Sequence, residues 1–217
     1  MSRVLIVGGH GKVALRLASL LAARGDAVTG LIRDPSQATD VASTGAVAVI
    51  GDVERLGIEE LVELLRDTDA VVWSAGAGGG DPARTYAVDR DAPIRSMTAA
   101  QHAGVSRFVM VSYIGSRSDH GVPAGDPFFP YAEAKAAADD HLRTTSLDWT
   151  ILGPGPLTWD EPTGLIDPAS GATPGAGRVS RGDVAAVVAA VLADASTIRR
   201  TIRFGNGLTP ITQAISA

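Results

Sequence analysis

The chain has 217 residues, enough for one domain with a full core, and its formal charge of −5 disfavours a partner held through nucleic-acid phosphates. It has no cysteine, which excludes disulfides, thiolate catalysis and cysteine-bound metal, and its four histidines (His10, His102, His120, His141) lack zinc-like spacing. No apolar run is long enough to span a bilayer and the N-terminal one is too short for a secretory signal, so the expectation is a cytoplasmic protein without membrane or nucleic-acid partners.

The first element, "RVLIVGG", is a continuous apolar run stopped by glycine, the pattern of a strand buried on both faces. "GKVALRLASLLAARG" follows with apolar residues at helical spacing and closes on Gly25. "AVTGLIR" is a second strand, "PSQATDVASTG" a short helix, and "AVAVIGD" a third strand. "GIEELVELLRDT" is amphipathic at helical period, and "DAVVWSAG" is a fourth strand. Residues 82–103 form a long helical pattern that ends at Gly104, and "VSRFVMVSY" is a fifth strand. A polar loop over 114–129 leads into the alanine-rich helix of "YAEAKAAADD", and "LDWTILGPG" is a sixth strand. Residues 157–178, rich in Gly, Pro and Thr, read as an irregular flap. "SRGDVAAVVAAVLAD" is a late helix whose Ser180 and Asp183 suggest a capping box. "RTIRFGNG" is a last strand, and a short helix follows Pro210.

Strands and helices alternate throughout, without a repeat or a linker. That implies an α/β fold: a single Rossmann-type, doubly wound parallel sheet over 1–217, helices on both faces, with a small C-terminal substrate flap. The cleft of such a sheet lies beyond the carboxyl ends of its strands, so the residues just after each strand are the candidates for a site.

After the first strand comes "GGHGKVA", where Gly8, Gly11 and Ala14 fit a glycine fingerprint and Gly9, His10, Lys12 and Val13 complete the loop. Glycine there permits a sharp turn and lets bare backbone approach a pyrophosphate at a helix N-terminus. The alternative is an ordinary glycine-rich turn. After the second strand stands Arg33, where an acidic residue would favour NAD and an arginine suits the 2′-phosphate of NADP; alternatively Arg33 pairs with Asp34 or faces solvent. Asp52 and Val53, after the third strand, suit an adenine amino group and ring, or Asp52 caps the next helix. Ser74, Ala75 and Gly76, after the fourth strand, are small enough to let a second stretch of backbone approach a cofactor.

Ser112 ends the fifth strand, and Tyr131 and Lys135 lie four residues apart on the next helix and so share a face. Pro130 starts that helix without losing a hydrogen bond. A nearby ammonium and the helix N-terminus would both favour the phenolate of Tyr131, making it an acid/base group. Ser112 would orient a substrate oxygen. The alternative is a surface tyrosine, with Lys135 bridging to Asp139.

With "VGGHGKVA", "LIRDPSQ", "GDV", "SAG", "VMVSYIGS", "YAEAK", "ILGPGPLT" and "VSRGDVA" in this order, nearly the whole chain resembles the short-chain dehydrogenase/reductase superfamily. The closest likeness is to its atypical, NAD(P)H-binding, epimerase/dehydratase-like members. The resemblance implies that Ser112, Tyr131 and Lys135 are catalytic, and that Pro154, Gly155 and Pro156 lie beside a nicotinamide. The third fingerprint glycine is Ala14, the proton-relay asparagine of some relatives has no match, and the residues after the sixth strand are too few for a nucleotide-sugar lobe.

Three functions follow from the resemblance. One is an oxidoreductase using NADP(H), with NAD(H) as the second option, on a small carbonyl or alcohol. Another is an epimerase or dehydratase with the same residues. The third is a non-catalytic, cofactor-binding redox sensor, a branch that usually lacks the Tyr/Lys pair. The partner expected is a small-molecule substrate, and the chain a monomer or a homodimer.

Overall fold

The computed structural model describes residues 1–168 and 177–216. The first strand, β1 (Arg3–Val7), lies centrally between β2 (Ala27–Ile32) and β4 (Ala70–Trp73), and β3 (Val47–Ile50) borders β2. Beyond β4 come β5 (Arg107–Val111), β6 (Asp148–Pro154) and β10 (Arg200–Asn206), and all pairings among these seven strands are parallel. The sheet is mixed at one edge: β8 (Leu165–Asp167) runs antiparallel to β10, and β11 (Thr209–Pro210) antiparallel to β8.

The period-two alternation of a strand divides its side chains between two cores. Val4 and Ile6 of β1 join the core under α1 (Lys12–Ala23), α7 (Arg181–Ala193) and α8 (Ile211–Ser216). Leu5 and Val7 join the opposite core, under α3 (Ile58–Leu65), α5 (Ala92–Ala103) and α6 (Phe129–Thr144). Burial on both faces is why the central strands read as unbroken apolar runs. β3 is the exception, an edge strand that leaves Val47 and Ile50 exposed.

Two elements depart from the sequence expectation. The long helix over 82–103 consists of α4 (Pro82–Tyr86), a π-helical turn (Ala87–Asp91) and α5; α2 (Ala38–Ala42) is the short helix before β3. The segment read as an irregular flap holds β8 and β7 (Leu157–Thr158), which pairs with β9 (Val179–Ser180); its residues 169–176 lie outside the described residues. Strands of two or three residues are too short to show a period.

The capping box before α7 is only half formed. Ser180 Oγ accepts the Asp183 N–H at 2.9 Å, but the Asp183 carboxylate accepts the backbone N–H of Thr163 (3.0 Å) and Gly164 (2.7 Å). Asp183 therefore ties the flap to the start of α7. Among the described residues no helix is long and apolar enough to cross a membrane.

Candidate functional site

Strand order reverses between β1 and β4, since β1 continues to β2 and β4 to β5. The loops leaving the carboxyl ends of these two strands diverge, and two adjoining cavities open there. The smaller, about 390 Å³, is bordered by Gly8, His10, Arg33, Asp52 and Val53. The larger, about 600 Å³, is bordered by Lys12, Val13, Ser112, Tyr131, Lys135, Pro154, Gly155 and Pro156. Gly11, Ser74, Ala75 and Gly76 border both. Of the site residues expected from sequence, only Gly9 borders neither.

The glycines of the first loop have different reasons. Gly8 has φ of +83°, and a Cβ there would lie 2.7 Å from the backbone of Ala75. A Cβ on Gly9 would lie 2.6 Å from Gly30 Cα, so the loop packs directly on β2. Both are required by the chain's own backbone. Gly11 has an ordinary φ of −57°, and a Cβ there would press only on the Gly8 carbonyl, at 3.1 Å. Bare backbone facing a ligand is thus a reason that applies at Gly11 alone. It precedes α1, whose first-turn N–H groups lack helical partners.

In the smaller cavity Arg33 pairs with neither Asp34 nor solvent alone. Its Nη1 lies 3.3 Å from Glu54 Oε1, which also takes Arg84 Nε at 2.9 Å. Asp34 accepts the Ser36 N–H at 2.9 Å, which holds its carboxyl below the ordinary range. Asp52 Oδ1 accepts the Glu54 N–H at 3.1 Å and so shapes a turn; α3 is instead started by Gly57, whose N–H goes to Glu60 at 2.8 Å. His10 Nε2 lies 2.8 Å from Asp40 Oδ2. Glu54 and Arg84 carried no motif and were not expected at the site.

In the larger cavity Tyr131 and Lys135 stand on one face of α6, as their spacing predicts. Lys135 is 1% exposed, and its ammonium donates to Val111 O at 2.9 Å. It does not bridge to Asp139. That fully buried carboxylate accepts the hydroxyl protons of Ser112 (2.6 Å) and Ser116 (2.5 Å) on Oδ2, while its Oδ1 has no partner among the described residues. Ser112 has therefore spent its only donor inside the protein and offers lone pairs to the cavity.

Tyr131 departs from expectation in direction. Its pKa is raised, first by burial and then by the negative charges of Asp89 and Asp139. The ammonium expected to favour the phenolate is turned to the Val111 carbonyl. Asp89 was not expected at all. The π-helical turn carries it to the cavity wall, where it is 1% exposed and accepts the Ala77 N–H at 3.1 Å. Burial raises its pKa, opposed by Lys135. A π-turn leaves no trace in hydrophobic period, so only its side chain's charge hinted at it.

The family model for NAD(P)H-binding proteins matches residues 8–195. The chain belongs to that family. It is 32% identical to the "uncharacterized sugar epimerase YhfK" of Bacillus subtilis, over 98% of each chain. It is 33% identical to a solved Bacillus halodurans protein described as an NAD-dependent epimerase/dehydratase, with a TM-score of 0.91 over 99% of each chain. A solved Lactococcus lactis oxidoreductase, ylbE, is 31% identical with a TM-score of 0.85, over 98% of this chain and 94% of that one. The resemblance to NAD(P)H-binding, epimerase/dehydratase-like proteins, and the Rossmann-type fold, are borne out.

For an NAD(P)H-binding chain the two cavities are a fitting pair. They meet at a wall of small residues and bare backbone, beside the start of α1, where Gly11 makes no side-chain cap. One has aliphatic side chains, guanidinium groups and carboxylates suited to an adenosine, and the other a tyrosine and a lysine suited to a reacting centre.

Proposed function

We propose that the chain is an NADP(H)-dependent oxidoreductase acting on a small carbonyl or alcohol, with Tyr131 as the proton donor in carbonyl reduction. The observation that carries this reading is the placing of Tyr131 and Lys135 on the wall of the cavity that Gly11, Ser74, Ala75 and Gly76 join to the adenosine-sized one. The nicotinamide supplies hydride when bound. The chain's residues hold it and manage the proton.

Gly11 and the start of α1 would hold the pyrophosphate, with Gly8, Gly9, His10, Lys12 and Val13 shaping that loop. Arg33, Asp52 and Val53 would hold the adenosine end, and Pro154, Gly155 and Pro156 would back the nicotinamide. Support for NADP(H) is that Arg33 and Arg84 share one carboxylate, Glu54, which leaves one guanidinium charge in that trio for a 2′-phosphate.

Tyr131 is kept neutral by its surroundings, the form that can donate a proton to a developing alkoxide. To balance the phenolate left behind, Lys135 on the same helix face would turn its ammonium from the Val111 carbonyl. Ser112, its proton held by Asp139, can accept from a substrate hydroxyl but not donate to a carbonyl.

The names of the similar proteins favour a second reading, an epimerase or dehydratase using the same groups. A screen of carbonyl compounds with NADPH separates the two. Net loss of reduced-nicotinamide absorbance supports the oxidoreductase. Isomerised product with no net change in absorbance overturns it.

A further inference from the structure

The chain has only three Trp, three Tyr and four Phe, yet three of these side chains, Tyr113, Phe128 and Tyr131, border the larger cavity, and a fourth, Trp159, lies against Arg181, which borders it too. Tyr113 meets Phe128 edge-on at 5.5 Å and Tyr131 at 5.3 Å, and Phe128 lies 5.2 Å from Tyr131. Phe128 is nonetheless 43% exposed. Trp159 is 65% exposed, with the Arg181 guanidinium 4.1 Å from its ring centroid. Exposed aromatic surface is costly to leave in water, and here it borders a cavity.

Three cations border this cavity, Lys12, Lys135 and Arg181, and Arg181 is the one that lies against the aromatic ring of Trp159. It borders the cavity and donates from Nη1 to Thr158 O at 2.8 Å and Leu157 O at 3.3 Å. Its Nε and Nη2 have no acceptor among the described residues, and it forms no ion pair there, although Asp160 and Glu161 follow Trp159 in sequence. It is also the first residue of α7, where a positive charge opposes the helix dipole. Helix stability therefore does not account for it. Stacking on Trp159 fixes the plane of the guanidinium and leaves an edge for a bidentate acceptor.

Resting on the reading of this cavity as the place where substrate meets the nicotinamide, we infer that the substrate is a planar aromatic or conjugated carbonyl compound bearing an anionic group. Tyr113, Phe128 and Tyr131 hold its rings, and Arg181 binds its anion. A sugar would need many hydroxyl partners; the polar Ser112 and Asp89 are buried in the cavity wall, and around Arg181 the lining is rings, Ile114 and Leu157.

The test is calorimetric titration of the full chain with naphthoate and with uncharged naphthamide, with and without NADPH. Naphthoate is expected to bind about tenfold or more tightly than the amide, the scale of one charge-assisted contact. Arg181→Gln should bring the ratio close to one, and Arg181→Lys should keep part of it. Phe128→Ala should weaken both ligands in proportion. A thermal melt of each variant shows whether it is folded. Equal affinities in the wild type, no saturable binding of either ligand, or an undiminished ratio in folded Arg181→Gln overturns the inference. If formylnaphthoate consumes no NADPH while the naphthoate preference holds, the oxidoreductase reading fails and the aromatic-anion site stands.

Discussion

Ser112 donates its hydroxyl proton to Asp139, with Oγ 2.6 Å from Oδ2. Two consequences follow, one for the reaction and one for stability. While Asp139 is ionised and takes that proton, Ser112 has no donor left to polarise a carbonyl. Ser112→Ala should lower kcat/KM by less than about tenfold, well short of the loss expected for a positioned acid. A loss as large as that of Tyr131→Phe, measured on the same substrate, would put Ser112 back in the proton-transfer role.

Asp139 is buried and its pKa is raised, chiefly by desolvation. For a carboxyl raised in the folded state, the native protein binds the proton more tightly than the unfolded chain, whose pKa is about 3.9. This group's penalty on stability is thus present above the raised pKa and is relieved as pH falls through it. Asp139→Asn removes that titration. The melting temperature of the variant minus that of the wild type should therefore fall as pH is lowered from about 7 toward about 4. A difference that stays level, or rises, over that window means that the fold does not raise the Asp139 pKa.

The glycine loop makes a paired prediction. Gly9→Ala places a Cβ 2.6 Å from the Gly30 backbone and should destabilise the protein by about 1–3 kcal/mol, the usual cost of overpacking. Gly11→Val has an ordinary backbone angle and meets only a carbonyl, so it should fold and fail to bind NADPH. Melting curves and calorimetry on both variants check this. NADPH binding undiminished in Gly11→Val would remove the loop from the site.

Arg33 decides between the cofactors. A charge-assisted contact to a 2′-phosphate is worth about 1.5–3 kcal/mol. Arg33→Ala should weaken NADPH about ten- to a hundredfold and barely change NADH. Glu54→Gln should strengthen NADPH, because it frees the guanidinium from its present partner. Equal losses for both cofactors on Arg33→Ala would make Arg33 a partner of Glu54 and nothing more.

The fold was legible because the central strands are buried on both faces. Runs such as "VLIV" and "AVVW", each followed by a helical period, admit few other arrangements. Residues beyond the strand ends were legible for the same reason: chain order alone carries Ser74, Ser112 and Pro154 to one rim. Side-chain direction was not. Asp139 stands one helical turn from Lys135, yet Lys135 takes the carbonyl of Val111 at the end of β5. Asp89 reaches the cavity through a π-turn, and Tyr113, Phe128 and Arg181 gather there by tertiary packing. None of these has a spacing that sequence can register.

Tyr131 separates an enzyme from a cofactor sensor. Tyr131→Phe removes one oxygen from the cavity wall and leaves the glycine loop untouched. NADPH affinity should change little, and turnover on any confirmed carbonyl substrate should fall about a hundredfold or more. Lys135→Met should also lower turnover, because it removes the ammonium that can turn from the Val111 carbonyl toward the phenolate formed on proton transfer. The wild-type pH profile gives a further check. A free phenol titrates near 10, and burial together with Asp89 and Asp139 pushes Tyr131 upward. The acid form is the one that donates, so raising its pKa extends the active range toward alkaline pH. The single-turnover rate of carbonyl reduction should stay level as pH rises from about 7 to about 9, with no fall assignable to Tyr131 below about 10. A rate that drops across that interval in the wild type but not in Tyr131→Phe would show that the phenol ionises early. A Tyr131→Phe protein with unchanged turnover would remove Tyr131 from the chemistry.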